Sequence, residues 1–273
     1  MGDLSAIAHI LQLIEKGQRL NDIDITFPYI QVNGVRYDKC TAGYYYMPWL
    51  HNKDFLGIYA MAERIEKGNY NGFYFAPRAY VVLRAAEMAL DCAEGDFVEC
   101  GVFRGGTTLL ASEVILRDTM NAPPLFHLFD TFSGVPSDGL TQREIADGFI
   151  GKCSQDVSLD ATKENLNAYA GFLRYYPGYI PDTFDDFEPR PIRYLHIDIN
   201  TKKAHRECLE FFVPMLVDGA VILFDDYGWP KHAESKTTID EYFNINGMPL
   251  PVALMTGQSL CIYRKARKKL LPF

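Results

Sequence analysis

Short hydrophobic runs recur along the chain from about residue 95 onward, and longer amphipathic segments separate most of them. Runs of this length indicate buried β-strands, and apolar residues at helical spacing between them predict surface helices. The predicted strands cover residues 97–100, 125–129, 172–175, 192–197, 220–224, 252–255 and 260–263. The clearest predicted helices between the first five strands cover residues 107–117, 158–170 and 204–216.

This alternation predicts an α/β fold with a doubly wound, seven-stranded, mainly parallel sheet. The last two runs flank a tight-turn sequence at residues 256–259, so we expect them to form an antiparallel edge. Before residue 95, apolar residues have helical spacing at 7–14 and 77–90, and residues 44–59 are rich in aromatics. We therefore expect residues 1–94 to form an N-terminal helical cap of the same globule, and residues 95–273 to form the functional domain.

Composition narrows the function classes. The 273 residues are 48% hydrophobic and carry a net charge of −8, which favours a globular protein and argues against a general nucleic-acid binder. Six cysteines show no C-x-x-C spacing, which is typical of reduced thiols in the cytoplasm. No apolar window reaches membrane-spanning length, and the first residues do not resemble a secretion signal. We expect a cytoplasmic protein without nucleic-acid or membrane partners.

The first strand of the alternating region runs into a glycine-rich turn and then directly into a helix. Gly101, Gly105 and Gly106 read G-x-x-x-G-G, which is neither the dinucleotide fingerprint nor a phosphate-binding loop. Glycines there let a ligand approach the backbone, and the helix start offers free N–H groups. A nucleoside cofactor without a pyrophosphate, most commonly S-adenosylmethionine, fits this pattern, and an ordinary strand-to-helix turn is the alternative.

Acidic residues follow the next strands. Asp130 ends the second strand of the sheet, where a carboxylate can accept hydrogen bonds from both ribose hydroxyls. The alternative is a cap for the turn at residues 131–134. Asp198 ends the fourth strand, and Asp225 and Asp226 end the fifth, so we expect these three carboxylates to converge. Such a cluster suits a hard cation such as Mg²⁺, although helix capping or salt bridges are also open to its members.

Taken in order along the chain, several motifs resemble the macrocin O-methyltransferase family over about residues 75–265. The matching pieces are E-C-G-V-F-R-G-G from residue 99, F-D-T-F-S-G-V-P from 129, V-S-L from 157, P-G-Y-I-P-D-T-F from 177 and D-D-Y-G from 225. The family consists of metal-dependent, class I S-adenosylmethionine enzymes that methylate sugar hydroxyls of natural products.

The resemblance implies a role for each site residue. It implies that Asp198, Asp225 and Asp226 bind Mg²⁺, that Glu99, Gly101 and Asp130 hold the cofactor, and that Ser158 lies near its adenine. We include the neighbouring motif residues in the predicted cofactor site, which then consists of Glu99, Gly101, Arg104, Gly105, Thr107, Asp130, Ser133 and Ser158.

One position departs from the family pattern. The family has D-x-D-x-Y after the fourth strand, with the second acid proposed as general base, and this chain has Asn200 in place of that acid. An amide cannot take a proton. The predicted catalytic residues are therefore Asp198, His205 and His232, with Lys202 as a further substitute, whereas His196 lies deeper in its strand and we expect it to be packed.

We expect the polar segment at 137–156 to fold over the site as a lid. The sequence thus predicts an S-adenosylmethionine-dependent, Mg²⁺-assisted O-methyltransferase acting on a sugar or glycosylated metabolite, with a homodimer as the expected assembly. Asn200 keeps a second possibility open, namely a noncatalytic cofactor-binding or regulatory protein. A sugar-modifying oxidoreductase is the third, and the glycine spacing disfavours it.

Overall fold

The computed structural model describes residues 29–32, 35–38, 48–66, 75–119, 122–155 and 157–265. The chain divides into two compact units, residues 1–80 and 81–273. This division falls earlier than the predicted boundary after residue 94, and the assignment of functions to the two parts stays a prediction.

The first unit contains a hairpin as well as helices. Strands β1 (Tyr29–Val32) and β2 (Val35–Asp38) pair antiparallel, and helices α1 (Pro48–His51) and α2 (Lys53–Ile65) follow. Asn52 caps α2 by accepting the Phe55 N–H at 3.0 Å. The helical cap predicted for residues 1–94 did not include this pair of strands. The helix predicted at 7–14 lies outside the described residues.

Helix α3 (Ala76–Leu90) leads into the second unit, whose seven-stranded sheet has the order β5-β4-β3-β6-β7-β9-β8. In chain order, its elements are β3 (Asp96–Cys100), α4 (Gly106–Thr119), β4 (Phe126–Asp130), α5 (Gln142–Ala146), α6 (Leu159–Asn165), β5 (Leu173–Pro177), β6 (Ile192–Ile197), α7 (Lys202–Phe212), β7 (Leu216–Phe224), α8 (Ala233–Ile245), β8 (Val252–Ala253) and β9 (Ser259–Ile262).

The predicted sheet is confirmed. Strands β3 to β7 are parallel to one another, and β9 pairs antiparallel with both β7 and β8. The central strands are buried over nearly all of their length, because helices cover both faces of a parallel sheet. The bounds of β6 match the prediction, and those of the other strands differ from it by one to four residues. The largest difference is in β7, which begins at Leu216 rather than at 220. Within the described part of the chain, no helix is long and apolar enough to span a bilayer.

Two differences concern helices. The predicted helix at 158–170 is α6 followed by a short 3₁₀ turn at Asn167–Tyr169, and a similar turn at Val213–Met215 follows α7. Helix α8 was not predicted, although it buries Ser235, Thr238, Ile239, Tyr242 and Phe243 at helical spacing. The polar members of this stripe hide the periodicity from a search for apolar residues.

Candidate active site

The predicted site residues lie at one edge of the second unit, where strands β3, β4, β6 and β7 end. The ends of these parallel strands are aligned at this edge. Cys100 pairs with both Phe129 and Ile197, and Ile197 pairs with Phe224. Ligands of open parallel sheets bind beyond such carboxyl ends.

Two glycines of the turn after β3 are needed by the packing of the chain itself. Gly101 has φ of +90°, and a Cβ built on it would lie 1.9 Å from the carbonyl oxygen of Asp198. Gly105 has φ of +95°, and its Cβ would lie 2.8 Å from Cδ1 of Leu166. Close approach of a ligand is therefore not required to explain either glycine, and their cofactor role stays a prediction.

Asp130 organises the same turn. Its Oδ2 accepts the N–H groups of Val102 at 2.6 Å and Phe103 at 2.8 Å, and its Oδ1 accepts the Phe132 N–H at 2.7 Å. A carboxylate has about four acceptor positions, so three of them are used within the protein. Asp130 acts here as a cap for two turns, which is the alternative that the sequence left open, and little capacity remains for ribose hydroxyls.

Glu99 is part of a buried polar network. It is 1% exposed; its Oε2 accepts the Thr108 hydroxyl, and its Oε1 lies 2.8 Å from Nδ1 of His196. The other ring nitrogen of His196 has no hydrogen-bond partner and lies 3.8 Å from Oδ1 of Asp225. Side chains from β3, β6 and β7 thus connect the glycine turn to the neighbouring acidic cluster. His196 is packed, as we expected.

The remaining predicted cofactor residues border this turn. Arg104 is buried, and its guanidinium donates to the Gln155 carbonyl at 3.0 Å. Thr107 lies half-buried in the first turn of α4, and Ser133 is exposed in the turn after β4. Ser158 caps α6 by accepting the Ala161 N–H at 3.2 Å. These positions leave Thr107 and Ser133 accessible to a ligand.

The acidic residues at the ends of β6 and β7 come together. Asp198, Asp225 and Asp226 each offer a carboxylate oxygen, and these oxygens lie within 4.8 Å of one another. Asp225 is 6% exposed, and its Oδ1 accepts the Gln258 side-chain N–H at 2.7 Å. Gln258 was missed by the sequence analysis, because a glutamine in a tight turn carries no recognisable motif.

The donor set of this cluster fits a hard divalent cation. Three carboxylates this close repel one another when all are ionised. Oxygen ligands at short spacing are what Mg²⁺ prefers, and a cation would remove the repulsion. The chemistry of the donors therefore supports a metal site at this edge.

The two histidines proposed as bases have different surroundings. His205 is 1% exposed, and its Nδ1 lies 2.8 Å from the Thr201 carbonyl, so it donates there. Burial lowers the pKa of His205 to about 4. A histidine this inaccessible is poorly placed to take a proton from a substrate. His232 contacts the cluster directly, with Nδ1 3.5 Å from Oδ2 of Asp226.

The predicted lid segment lies against the same residues. Lys152 donates through Nζ to Oδ1 of Asn200, and its Nζ lies 3.5 Å from Nε2 of His232. The ring of Phe149 meets that of His232 edge-on at 5.0 Å. A short helix, α5, interrupts the segment, and its capping residue Thr141 donates to Glu234 at 2.5 Å. The described part of the segment therefore covers Asn200 and His232.

Comparison with known proteins identifies relatives. The family described as Macrocin-O-methyltransferase (TylF) matches residues 82–265. The 8-demethyl-8-(2,3-dimethoxy-alpha-L-rhamnosyl)-tetracenomycin-C 4'-O-methyltransferase of Streptomyces olivaceus is 27% identical over 179 residues, 61% of this chain. The demethyldecarbamoylnovobiocin O-methyltransferase of Streptomyces niveus is 24% identical over 160 residues, 54% of this chain. The chain spans 65% and 58% of these relatives' lengths, less than two thirds of either.

Solved structures share the fold. The O-methyltransferase NovP superposes with a TM-score of 0.56 at 19% identity, over 69% of this chain and 80% of its own. The calicheamicin methyltransferase CalS11 superposes with a TM-score of 0.57 at 15% identity, over 78% of this chain and 93% of its own. At these identities the similarity establishes a common fold.

Proposed function

The chain belongs to the macrocin O-methyltransferase family, and on that basis we propose that it transfers a methyl group from S-adenosylmethionine to a hydroxyl of a sugar or glycosylated metabolite, assisted by Mg²⁺. The observation that carries the proposal is the convergence of Asp198, Asp225 and Asp226 within 4.8 Å beside the glycine turn. Ligands of open parallel sheets bind beyond the carboxyl ends of the strands, so donor and acceptor would meet at this edge.

The three carboxylates would hold the cation. Bound Mg²⁺ supplies Lewis-acid stabilisation to an oxygen nucleophile. Asp198 and Asp226 are half-buried and border the space where an acceptor hydroxyl would lie, whereas Asp225 is fixed from behind by Gln258. The chain's own contribution to catalysis is then orientation, because an in-line methyl transfer depends on the alignment of oxygen, carbon and sulfur.

The cofactor residues would divide into two groups. Thr107, Ser133 and Ser158 are accessible and would contact S-adenosylmethionine directly. Glu99, Gly101, Arg104, Gly105 and Asp130 shape the turn through contacts within the protein, and we propose that they support the pocket from behind. A sulfonium cofactor needs no phosphate-binding loop, which agrees with a turn that lacks one.

Among the predicted catalytic residues, His232 and Asp198 lie at the cluster, and His205 lies in the interior. We propose that proton removal involves the part of the site formed by His232, Asn200 and Lys152, since Lys152 contacts each of the other two side chains. Asn200 would position the acceptor through its amide.

The relatives favour a glycosylated acceptor. The names of the two Streptomyces enzymes place their chemistry on natural products, and one of them includes a rhamnosyl group. We propose a small sugar or glycoside as the acceptor for this chain on that basis.

We also propose a homodimer and a cytoplasmic location. The five described cysteines are free, which agrees with a reducing compartment. Light scattering of the purified protein tests the dimer.

The experiment combines binding with turnover. Calorimetry with S-adenosylmethionine should give saturable binding, and a panel of sugar diols with Mg²⁺ should give a methylated product by mass spectrometry that chelation with EDTA abolishes. Absence of cofactor binding would contradict the proposal. Product formation that is unchanged by EDTA would contradict the proposed role of Mg²⁺ in the reaction.

A noncatalytic cofactor-binding or regulatory role is the second candidate, and Asn200 is the observation that favours it, because an amide hydrogen-bonded to Lys152 stands where relatives are proposed to hold a base. This candidate predicts tight cofactor binding without product on any diol. One methylated product would exclude it.

A further inference from the structure

Four lysines either contact Asn200 and His232 or lie within three positions of one of them in the sequence, and we call them the basic rim. Lys152 contacts both residues, Lys202 and Lys203 follow Asn200 in the first turn of α7, and Lys231 precedes His232. Lys231 is exposed, and the other three are half-buried. The chain as a whole carries a net charge of −8, so this concentration of positive charge is local.

The basic rim is not neutralised by ion pairs. Within the described ranges, no carboxylate oxygen lies within 4.0 Å of any of its four ammonium groups. Glu144 reaches this region, but its oxygens accept the backbone N–H groups of Lys202 at 2.6 Å and Thr141 at 2.8 Å. The Asp198, Asp225 and Asp226 cluster attracts the lysines at longer range, and a bound divalent cation would cancel most of that attraction.

Lys152 is the member of the basic rim closest to the proposed chemistry. Its hydrogen-bond partners are the neutral amide of Asn200 and, at 3.5 Å, Nε2 of His232, and its Nζ lies 4.9 Å from the centre of the Phe149 ring. A carboxylate at position 200, as the family pattern has, would neutralise this ammonium group. The asparagine leaves the positive charge in place, and an ammonium group has three N–H donors, so it can bind a further acceptor.

We infer, resting on the proposed function, that the acceptor carries an anionic oxygen group, a carboxylate or a phosphate, near the hydroxyl that is methylated, and that Lys152 binds this group. The asparagine and the lysine act together: Asn200 holds the ammonium group in position and adds no charge that would repel the acceptor. Lys202, Lys203 and Lys231 raise the local positive potential, which favours approach of an anionic sugar.

Calorimetry on the complex with S-adenosylhomocysteine and Mg²⁺ tests the inference with three sugars of similar size: glucose, glucuronic acid and glucose 6-phosphate. At least one anionic sugar should bind about 10-fold or more tighter than glucose, and the stronger of the two identifies carboxylate or phosphate as the group. Lys152→Met should remove most of this preference, and Lys152→Arg should keep it, because arginine retains the charge.

Lys265→Met is the matched control, since the Lys265 backbone bonds to Asp218 near the start of β7, the opposite end of that strand from Asp225. The Lys265→Met variant should prefer anionic sugars over glucose to the same extent as the unchanged protein does. The inference is overturned if glucose binds as tightly as both anionic sugars or if none of the sugars binds. It is also overturned if Lys152→Met retains the preference for anionic sugars, because the metal ion alone would then account for that preference. If S-adenosylhomocysteine itself does not bind, the proposed function fails and the inference falls with it.

Discussion

The α-carbon of Gly101 packs against the backbone of Asp198 so closely that any side chain at position 101 would collide with it. The Asp198 N–H also donates to the Cys100 carbonyl at 2.7 Å. The end of β3, where the glycine turn begins, and the end of β6, where the acidic cluster begins, therefore share one junction. A distortion of either strand end would be transmitted to both proposed binding sites.

Gly101→Ala should destabilise the protein. The new Cβ would lie 1.9 Å from the Asp198 carbonyl oxygen, and the φ of +90° is unfavourable for alanine. Together we expect a loss of about 3 kcal/mol or more in the free energy of unfolding, measured by urea denaturation.

Gly148→Ala is the matched control. Gly148 has φ of +80°, but its Cβ would meet no atom within 4 Å, so only the backbone strain of roughly 1 kcal/mol should appear. Equal losses for the two variants would show that the collision with Asp198 is relieved at little cost.

The sheet was predictable because its strands are short apolar runs with helices between them, and burial on both faces leaves little ambiguity. Helix α8 was missed because polar residues such as Ser235 and Thr238 are buried in it. The hairpin of β1 and β2 was also not predicted. Burial of a hydroxyl depends on a hydrogen-bond partner, which can lie far away in the sequence; Ser235 Oγ, for instance, donates to the Asn200 carbonyl at 3.3 Å.

Asp225→Asn should weaken the affinity for Mg²⁺. The substitution removes one of three carboxylates that lie within 4.8 Å, and we expect an affinity loss of at least about 100-fold by calorimetry. The substitution also reduces the repulsion among the carboxylates, so without metal the variant should unfold at the same temperature as the unchanged protein or at a higher one. With added Mg²⁺, only the unchanged protein should become more stable. Asp218→Asn, at the start of the same strand, should behave like the unchanged protein.

His205 should make stability depend on pH. Its pKa is lowered to about 4 by burial, against an ordinary value of 6.5, so the unfolded chain binds a proton first as the pH falls. The free energy of unfolding therefore falls as the pH drops from 6.5 to 4, by about 3 kcal/mol once the full difference between the two pKa values takes effect.

Urea denaturation at pH 7 and pH 4 checks this expectation, because His205→Gln should lose less stability over that interval than the unchanged protein. His51→Gln, which changes an exposed histidine, should leave the pH dependence as it is. An identical pH dependence for His205→Gln would mean that His205 becomes charged without cost.

Glu144→Ala should loosen the predicted lid segment. Glu144 is buried, and its carboxylate accepts the N–H of Lys202 at 2.6 Å and that of Thr141 at 2.8 Å, which fixes α5 to the start of α7. Loss of both hydrogen bonds should lower the free energy of local opening by about 1–3 kcal/mol. Hydrogen exchange at the Lys202 amide should then be roughly 10-fold faster or more. Arg143→Ala, on the exposed side of α5, should leave that exchange rate unchanged.

The candidate site was predictable to a different degree for each residue. The convergence of Asp198, Asp225 and Asp226 follows from acids at the ends of neighbouring parallel strands. The contact of Lys152 with Asn200 joins residues 48 positions apart through a loop, and no spacing rule encodes such a contact. The tight positions of Gly101 and Gly105 were recognised, but their cause lies in Asp198 and Leu166, which only the fold brings near.

A crystal structure with S-adenosylhomocysteine and Mn²⁺ would show whether the three carboxylates bind a metal ion, because manganese replaces magnesium and is located by its anomalous scattering. We expect one strong anomalous peak bounded by the carboxylates of Asp198, Asp225 and Asp226, with the cofactor beside the turn that contains Gly101. A cofactor bound there with no manganese among these three side chains, or manganese bound elsewhere, would contradict this expectation.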